Sequence, residues 1–191
     1  SLFNNLERAK SSTIHSDLGI EKGAYGVLTL HRPSNVDGKE AFMHILDALE
    51  QIGERISLVF PLHPRTRARA EEFGLTARLE SIPNIVLTGP AGYLDFVALM
   101  AESKLVLTDS GGLQEETTAL GIPCLTLREN TERPITVTEG TNTIVGNSTH
   151  DILDAANDIL DNGGKAGRIP ELWDGKTANR IADIIEQTIG E

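Results

Sequence analysis

The chain has 191 residues, a formal net charge of −11 at pH 7, and 39% hydrophobic and 24% charged residues. This length is close to that of one domain, so we expect residues 1–191 to form a single domain. The negative charge would repel a phosphate backbone, which argues against nucleic-acid binding. No apolar run approaches the length needed to cross a bilayer, so no membrane association is expected.

The cysteine content favours a reducing compartment. The single cysteine, Cys124, lies in an apolar run and cannot form an intrachain disulfide. The first residues also lack the basic start and the long apolar stretch of a secretion signal. Because disulfides are scarce in reducing compartments, these features favour a cytoplasmic location.

Hydrophobic periodicity predicts alternating helices and strands along the chain. A leading helix is predicted over Leu2–Leu18. The predicted strands are Tyr25–Leu30, Ile56–Pro61, Asn84–Leu87, Lys104–Thr108, Pro123–Leu127 and Thr141–Val145. The later predicted helices are Lys39–Ile52, Arg65–Phe73, Tyr93–Glu102, Gly112–Leu120, Arg133–Glu139, Asp151–Leu160 and Lys176–Ile189. This alternation predicts an α/β fold with a doubly wound parallel sheet of about six strands.

Two common nucleotide-binding motifs are absent. The Gly164-Lys165 pair has no glycine at the upstream P-loop spacing, no preceding strand, and Ala166 in place of the serine or threonine, so an NTPase is excluded. No Gly-x-Gly-x-x-Gly sequence follows a predicted strand, which removes support for a dinucleotide oxidoreductase.

Polar and glycine residues follow five of the predicted strands. These segments are His31–Asn35, His63–Arg65, Thr88–Tyr93, Asp109–Gly112 and Arg128–Arg133. Ligands of open parallel sheets bind beyond the carboxyl ends of the strands. The sequence therefore predicts one ligand-binding rim formed by these segments.

Ser110-Gly111-Gly112 lies between a predicted strand and a predicted helix. Glycines allow a ligand to approach the backbone, and the first amides of a helix are free donors, so this tripeptide is a candidate anion site. A tight turn with a serine N-cap would use the same residues. The tripeptide alone does not decide between the two interpretations.

Other rim residues have a structural and a functional interpretation. His31 and His63 could bind phosphate or transfer protons near neutral pH, although a histidine at a strand end can also be a structural hydrogen-bonding group. Either Glu115 or Glu116 could accept hydrogen bonds from ribose hydroxyls, or simply complement the helix dipole. Phe96 could pack in the core or stack on a base. The histidine spacing and the cysteine content predict neither a metal ion nor another cofactor.

The chain resembles the non-hydrolysing UDP-N-acetylglucosamine 2-epimerase family nearly end to end. The residues that carry the resemblance are Thr29–Arg32, Gly92–Phe96, Thr108–Glu116, Leu120–Pro123 and Thr131–Pro134. The resemblance implies a two-domain, glycosyltransferase-B-like fold, of which this chain is similar to the C-terminal half. Residues 1–191 would then be a Rossmann-like, nucleotide-sugar-binding domain whose partners are a missing N-terminal domain and, in the full-length protein, a second copy in a homodimer.

The resemblance also implies a role for individual residues. UDP would be held by Ser110, Gly111 and Gly112 at the diphosphate, Glu116 at the ribose, Phe96 near the uracil and Arg133 at a phosphate. His31 matches a histidine implicated in the family's chemistry. Arg32 and His63 match residues that contact a second UDP-N-acetylglucosamine, an allosteric activator, in some bacterial members.

The reaction implied is the interconversion of UDP-N-acetylglucosamine and UDP-N-acetylmannosamine by elimination and re-addition of UDP. The family's main acidic catalytic residues lie in the N-terminal half, so this chain alone is expected to bind UDP weakly and not to epimerise. The sequence His31-Arg32-Pro33-Ser34-Asn35 departs from the more common His-Arg-x-Glu-Asn, which weakens the case for the activator site. The matching half of a hydrolysing epimerase or of a glycosyltransferase, and a stand-alone nucleotide-sugar sensor, remain alternatives.

Overall fold

The computed structural model of the protein describes residues 2–189. The strands are β1 Tyr25–Thr29, β2 Ser57–Pro61, β3 Ile85–Thr88, β4 Leu105–Thr108, β5 Cys124–Thr126 and β6 Asn142–Ile144. The first helices are α1 Leu2–Ala9, α2 Ile14–Leu18, α3 Pro33–Val36, α4 Lys39–Gly53, α5 Pro64–Glu72 and α6 Thr76–Glu80. They are followed by α7 Tyr93–Ala101, α8 Gly111–Leu120, α9 Pro134–Thr138, α10 Thr149–Asn162 and α11 Thr177–Ile189. Within this part of the chain, no helix is both long and apolar enough to cross a membrane.

The described strands form a six-stranded parallel sheet in the order β3-β2-β1-β4-β5-β6. The sheet is wound outward in both directions from the pair β1 and β4, so the predicted doubly wound α/β fold is confirmed. The direction in which the chain winds along the sheet reverses between these two strands. Ligands of such sheets bind in the crevice that this reversal opens. Thr29 and Thr108 are paired at the carboxyl end of that crevice.

Both faces of the sheet are covered, which is why the strands are nearly continuous apolar runs. On one face, Leu28 and Leu107 pack in a buried cluster with Phe42 and Ile45 of α4. On the other face, Val27 and Val106 pack in a cluster that includes Leu99 of α7. Alternate side chains of each central strand thus pack against opposite helical layers, which fixes the position of the strand ends.

Three helical features differ from the sequence prediction. The predicted helix Leu2–Leu18 is broken into α1 and α2, and in the break the Ser12 hydroxyl donates to Asp95 Oδ1 over 2.6 Å. The short helices α3 and α6 were not predicted, because segments of four and five residues are too short to show a helical period. The break lets α1 and α2 both contact α7.

A buried histidine links the N-terminal helices to the sheet. The Tyr25 hydroxyl donates to the Leu99 carbonyl over 2.6 Å, so it accepts from Nε2 of His15, which lies 2.9 Å away. His15 is 9% exposed. Burial, reinforced by Lys22 and opposed by Glu102, lowers the pKa of His15 below its usual 6.5.

The lowered pKa of His15 predicts a pH dependence of stability. Below pH 6.5 the unfolded chain binds a proton at His15, whereas the folded chain binds that proton only at a lower pH. The contribution of neutral, buried His15 to stability is therefore complete above pH 6.5, and it is lost as the pH falls through the lowered pKa. We expect the free energy of unfolding in urea to fall between about pH 7.5 and about pH 5.5, and to fall less in His15→Gln, which keeps a donor to Tyr25. Equal declines in the two proteins would contradict the role of His15.

Candidate functional site

The carboxyl ends of β1 and β4 are joined by side-chain hydrogen bonds. The hydroxyls of Thr29 and Thr108 lie 2.6 Å apart across the two strands. Thr108 Oγ1 also accepts from the backbone N–H of Ser110 over 3.0 Å. These bonds turn the chain sharply after β4, and they place the start of α8 directly above the crevice.

Asp109 is the buried centre of the site. Its Oδ2 accepts from the backbone N–H groups of His31 over 2.9 Å and Arg32 over 2.8 Å, and from Asn35 Nδ2 over 3.3 Å. Its Oδ1 lies 2.8 Å from Nδ1 of His31. The side chain of Asp109 has no exposed area, so one carboxylate holds the loop after β1 against the start of α8.

The surroundings of Asp109 keep it ionised. Burial acts to raise its pKa, but the His31 side chain beside it and the hydrogen bonds from the amides of Arg32 and His31 outweigh burial, and the pKa is lowered. Oδ1 lies 2.8 Å from Nδ1 of His31 without the geometry of a regular hydrogen bond, so the contact is electrostatic. The carboxylate favours a ring that carries a proton on Nδ1, and the neutral ring of that form leaves Nε2 as an acceptor for a ligand. The His31 side chain is 37% exposed and can reach such a ligand.

The structure brings His63 to His31, as the shared rim predicted. Their ring centroids are 5.6 Å apart and the ring planes are inclined at 43°. His63 caps α5, where its Nδ1 accepts from the backbone N–H of Arg65 over 3.1 Å. This contact fixes the neutral tautomer with its proton on Nε2, so His63 can present a donor to the rim.

Ser110 occupies the N-cap position of α8, but its side chain forms no capping hydrogen bond. Gly111 and Gly112 have ordinary negative φ angles, so the turn itself does not require glycine. A Cβ atom at Gly112 would meet no atom within 4 Å, and one at Gly111 would lie 3.7 Å from Glu132 Oε2. The turn is thus more open than a capped turn needs, and Gly112 is exposed. Because the first amides of a helix have no partner within the helix, the accessible start of α8 is suited to bind an anion.

The two acidic residues of α8 point to different partners. Glu115 Oε1 lies 2.9 Å from Nε of Arg133, the residue that precedes α9. Glu116 Oε1 accepts from the Tyr93 hydroxyl over 3.2 Å. Burial, opposed by the Tyr93 hydrogen bond and reinforced by Glu115, raises the pKa of Glu116. Arg133 is therefore placed beside the start of α8, and Glu116 beside the start of α7.

Phe96 lies one turn along α7 from Tyr93 and is partly buried against the apolar cluster beneath the sheet. A cavity of about 460 Å³ lies next to Glu116 and also includes Trp173, the only tryptophan of the chain. The face of α8 that carries Glu115 and Glu116 thus lines an open concave surface with aromatic residues nearby.

Other reactive groups lie away from this rim. The Cys124 thiol is buried in β5, and burial raises its pKa to about 11, so it is a poor nucleophile at neutral pH. Within residues 2–189, no group of three or more histidine, cysteine, aspartate or glutamate side chains is arranged to hold a metal ion.

Sequence reasoning missed the structural roles of Asp109 and Gln114. An aspartate directly after one strand, opposite a histidine after another, was a usable signal for the first. Gln114 is completely buried, and its Nε2 donates to the Ser110 carbonyl over 3.3 Å. Its position four residues after Ser110 places it on the same helix face, which was a signal for the second.

The comparison with known proteins finds one matching family model, described as UDP-N-acetylglucosamine 2-epimerase, over residues 2–186. A UDP-N-acetylglucosamine 2-epimerase of Methanocaldococcus jannaschii is 42% identical over 163 residues, which cover 84% of this chain and 44% of that protein. The chain therefore spans less than half the length of this curated relative.

Solved structures give the same result. The M. jannaschii UDP-GlcNAc 2-epimerase in complex with UDP-GlcNAc and UDP matches with a TM-score of 0.85 and 38% identity, covering 97% of this chain and 52% of that one. The Neisseria meningitidis UDP-GlcNAc 2-epimerase bound to UDP-GlcNAc matches with a TM-score of 0.81 and 30% identity, again covering 97% and 52%.

The position of Asp109 predicts a large effect of Asp109→Asn on stability. The amide replaces an acceptor that serves several buried donors, so we expect the free energy of unfolding to fall by about 2–4 kcal/mol. Asp154→Asn is a matched control, because Asp154 also pairs with a histidine, His150, but both side chains are at least 70% exposed. We expect the control to change stability by less than about 0.5 kcal/mol in urea unfolding. Similar effects in the two variants would refute the central role of Asp109.

Proposed function

Since the chain belongs to the UDP-N-acetylglucosamine 2-epimerase family, we propose that it is the UDP-binding half of such an enzyme. The whole enzyme would interconvert UDP-N-acetylglucosamine and UDP-N-acetylmannosamine. In this proposal residues 1–191 form one nucleotide-sugar-binding domain, and UDP lies along the rim from the start of α8 toward α7.

The observation that carries the proposal is the open N-terminus of α8. Ser110 leaves its hydroxyl uncommitted to capping, Gly112 leaves room that no neighbouring side chain fills, and a Cβ at Gly111 would approach only Glu132 Oε2, at 3.7 Å. A diphosphate could accept from the first amides of α8 and from the Ser110 hydroxyl, with Arg133 beside it. Arg133 would exchange its partner Glu115 for a phosphate oxygen.

The same arrangement suits the nucleoside. Glu116 lies in the second turn of α8, beyond the first amides of that helix, where its carboxylate could accept hydrogen bonds from the two ribose hydroxyls. The uracil would then lie toward α7, near Phe96. Tyr93 now donates to Glu116, so a ribose hydroxyl would compete for that oxygen.

In the proposed reaction, the proton at C2 of the sugar is removed and the C1–O bond breaks, so that UDP leaves with the bonding electron pair. UDP then adds back to C1 of the glycal while a proton is delivered to the opposite face of C2, which replaces the proton that was removed and inverts the configuration at C2. The diphosphate site would stabilise the charge that develops on the leaving group. His31, oriented by Asp109 and partly exposed, is the catalytic group that this half contributes, with Nε2 free to exchange a proton.

The partners proposed for the chain follow from the share of its relatives that it spans, 44% of the curated M. jannaschii protein. Helix α11 has no buried residue and exposes Ile181, Ile184 and Ile185. An N-terminal half, which this chain does not contain, is the partner we propose for this apolar face, with a homodimer as the full-length assembly. The buried thiol of Cys124 suits a reducing compartment, and a cytoplasmic location is part of the proposal.

A second nucleotide-sugar site, for an activator, is proposed around Arg32 and His63. His63 presents its ring to His31, and Arg32, in the loop after β1, adds to the lowering of the Glu132 pKa that the hydrogen bond from Arg128 mainly causes. The departure from the family pattern is Ser34 in place of glutamate. Ser34 lies in the short helix α3, which Arg32 precedes as N-cap residue. An activator at this position would contact Arg32 and His63, and these two residues adjoin His31.

Gly112→Ala tests the diphosphate site directly. The new methyl group has room and improves helix propensity, so we expect the free energy of unfolding to stay the same or rise by up to about 1 kcal/mol. The methyl would occupy the space of the diphosphate, so UDP affinity in calorimetry should fall at least about tenfold. Gly38→Ala at the N-cap of α4, which also has open space, is the control and should leave UDP affinity unchanged. Unchanged UDP affinity of Gly112→Ala would argue for an ordinary turn.

Because the proposal assigns the main acidic catalytic residues to the N-terminal half, we expect that this chain alone does not turn over substrate. Incubated with UDP-N-acetylglucosamine and followed by proton NMR, it should form neither the C2 epimer nor free sugar. A separately produced N-terminal half of the M. jannaschii relative is the complementing partner to test. Epimer formation on mixing would support the proposal, whereas free sugar without the epimer would favour a hydrolysing enzyme. Sustained turnover by this chain alone would refute the assignment.

A further inference from the structure

A chain of hydrogen bonds connects the start of α8 with the segment that carries Arg133. Gln114 Nε2 donates to the carbonyl of Ser110 over 3.3 Å. The Thr131 hydroxyl donates to Gln114 Oε1, and Thr131 Oγ1 accepts from the backbone N–H of Arg133 over 2.9 Å. We call Ser110, Gln114, Thr131 and Arg133 with these bonds the relay.

The direction of each bond in the relay is fixed by chemistry. The Ser110 carbonyl only accepts and the Arg133 amide only donates. Thr131 has one hydroxyl proton, which it gives to Gln114, and uses an oxygen lone pair for Arg133. Gln114 must therefore supply a donor at one end and an acceptor at the other, which an amide can do and a carboxylate cannot.

Gln114, the centre of the relay, is buried and tied to the sheet, whereas Thr131 is half-buried and Arg133 is exposed. Gln114 has no exposed area, and its Oε1 also accepts from Asn142 Nδ2 over 3.2 Å. Asn142 is itself buried in β6, where its Oδ1 accepts from the Thr126 hydroxyl over 2.6 Å. The position of Gln114 is thus set by the sheet rather than by solvent-exposed contacts.

The two ends of the relay are the two parts of the proposed diphosphate site. One end is the backbone at the start of α8, and the other is the backbone of Arg133. We propose that Gln114 and Thr131 are positioning residues that hold Arg133 at a fixed distance from the α8 amides, so that both can bind one diphosphate. This inference rests on the proposed function.

The relay also explains how the Arg133 side chain could pair with either of two anions, the carboxylate of Glu115 or a phosphate. Its side chain is 43% exposed and now pairs with Glu115, the neighbour of Gln114 on α8. Fixing the backbone of Arg133 leaves only side-chain rotation between Glu115 and a phosphate oxygen. A loop that moved freely would instead have to be ordered when the ligand binds, at a cost in affinity.

The test is a double-mutant cycle in the 191-residue chain, with UDP and inorganic diphosphate as probes in calorimetry. Thr131→Val removes the hydroxyl and nearly conserves the volume, so UDP affinity should fall about tenfold. Thr131→Ser, which restores the hydroxyl, should recover most of this loss. In the Arg133→Ala background, Thr131→Val should change affinity less than about twofold, because the group that it positions is gone.

Gln114→Glu is the second variant and carries the test if Thr131→Val does not fold. Its side chain has the same shape but cannot donate to Ser110, so a similar loss is expected. Thr141→Val is the matched control, since the Thr141 hydroxyl donates to the Ile122 carbonyl outside the relay, and UDP affinity should be unchanged. Far-UV circular dichroism verifies that each variant is folded.

The outcomes separate the two claims. No binding of either probe by the parent chain would overturn the proposed function. If the parent binds, but Thr131→Val loses as much UDP affinity in the Arg133→Ala background as in the parent chain, the effect is a general structural one. That result would overturn the relay and leave the proposed function standing. Binding that Thr131→Val and Gln114→Glu both leave unchanged would also overturn the relay. Non-additive losses, with recovery in Thr131→Ser, would support it.

Discussion

The site depends on one buried charge, the carboxylate of Asp109. An ionised group without exposed area is costly unless several donors compensate it, and here the amides of His31 and Arg32, the Asn35 side chain and the His31 ring surround it. These donors come from the loop after β1, while the carboxylate comes from the turn after β4. Satisfying the charge therefore ties the two sides of the crevice together. The same contact orients the catalytic candidate His31 and fixes where α8 begins, so the proposed proton transfer and the proposed anion binding would share one structural origin.

An acidic chain with a net charge of −11 can still form an anion site, because its donors are mainly neutral. The amides at the start of α8 carry no formal charge, and two of the rim arginines already have carboxylate partners. Arg133 pairs with Glu115, and Arg128 pairs with Glu132, whose pKa the Arg128 contact lowers to about 2. Binding of a phosphate at Arg133 would thus replace one anionic partner by another. The net gain from an arginine is correspondingly modest, and selectivity would depend on geometry more than on total charge.

The sequence predicted the sheet well because parallel strands buried on both faces give short apolar runs, and all six predicted strands are present with small shifts at their ends. It also predicted which segments follow the strands. It did not give the contacts that organise them. Asp109 and His31 are 78 residues apart, and their contact becomes visible only when β1 and β4 are known to be neighbours. The Thr131–Gln114 contact likewise requires a folded loop. Local pattern thus located the rim, whereas tertiary pairing determined the roles along it.

The division of the proposed enzyme into halves is consistent with these energies. Micromolar binding needs about 8 kcal/mol, whereas the charge effect at a helix N-terminus contributes about 0.3–1 kcal/mol, so no single element of the rim can hold UDP. The α8 amides, Arg133 and Glu116 must act together, and their spacing must persist while the sugar is detached. A relay of hydrogen bonds centred on the buried Gln114 would provide that persistence without additional charge. In the proposed reaction, a rigid leaving-group site in this half would hold UDP in place while a proton is removed from one face of C2 and another is delivered to the opposite face.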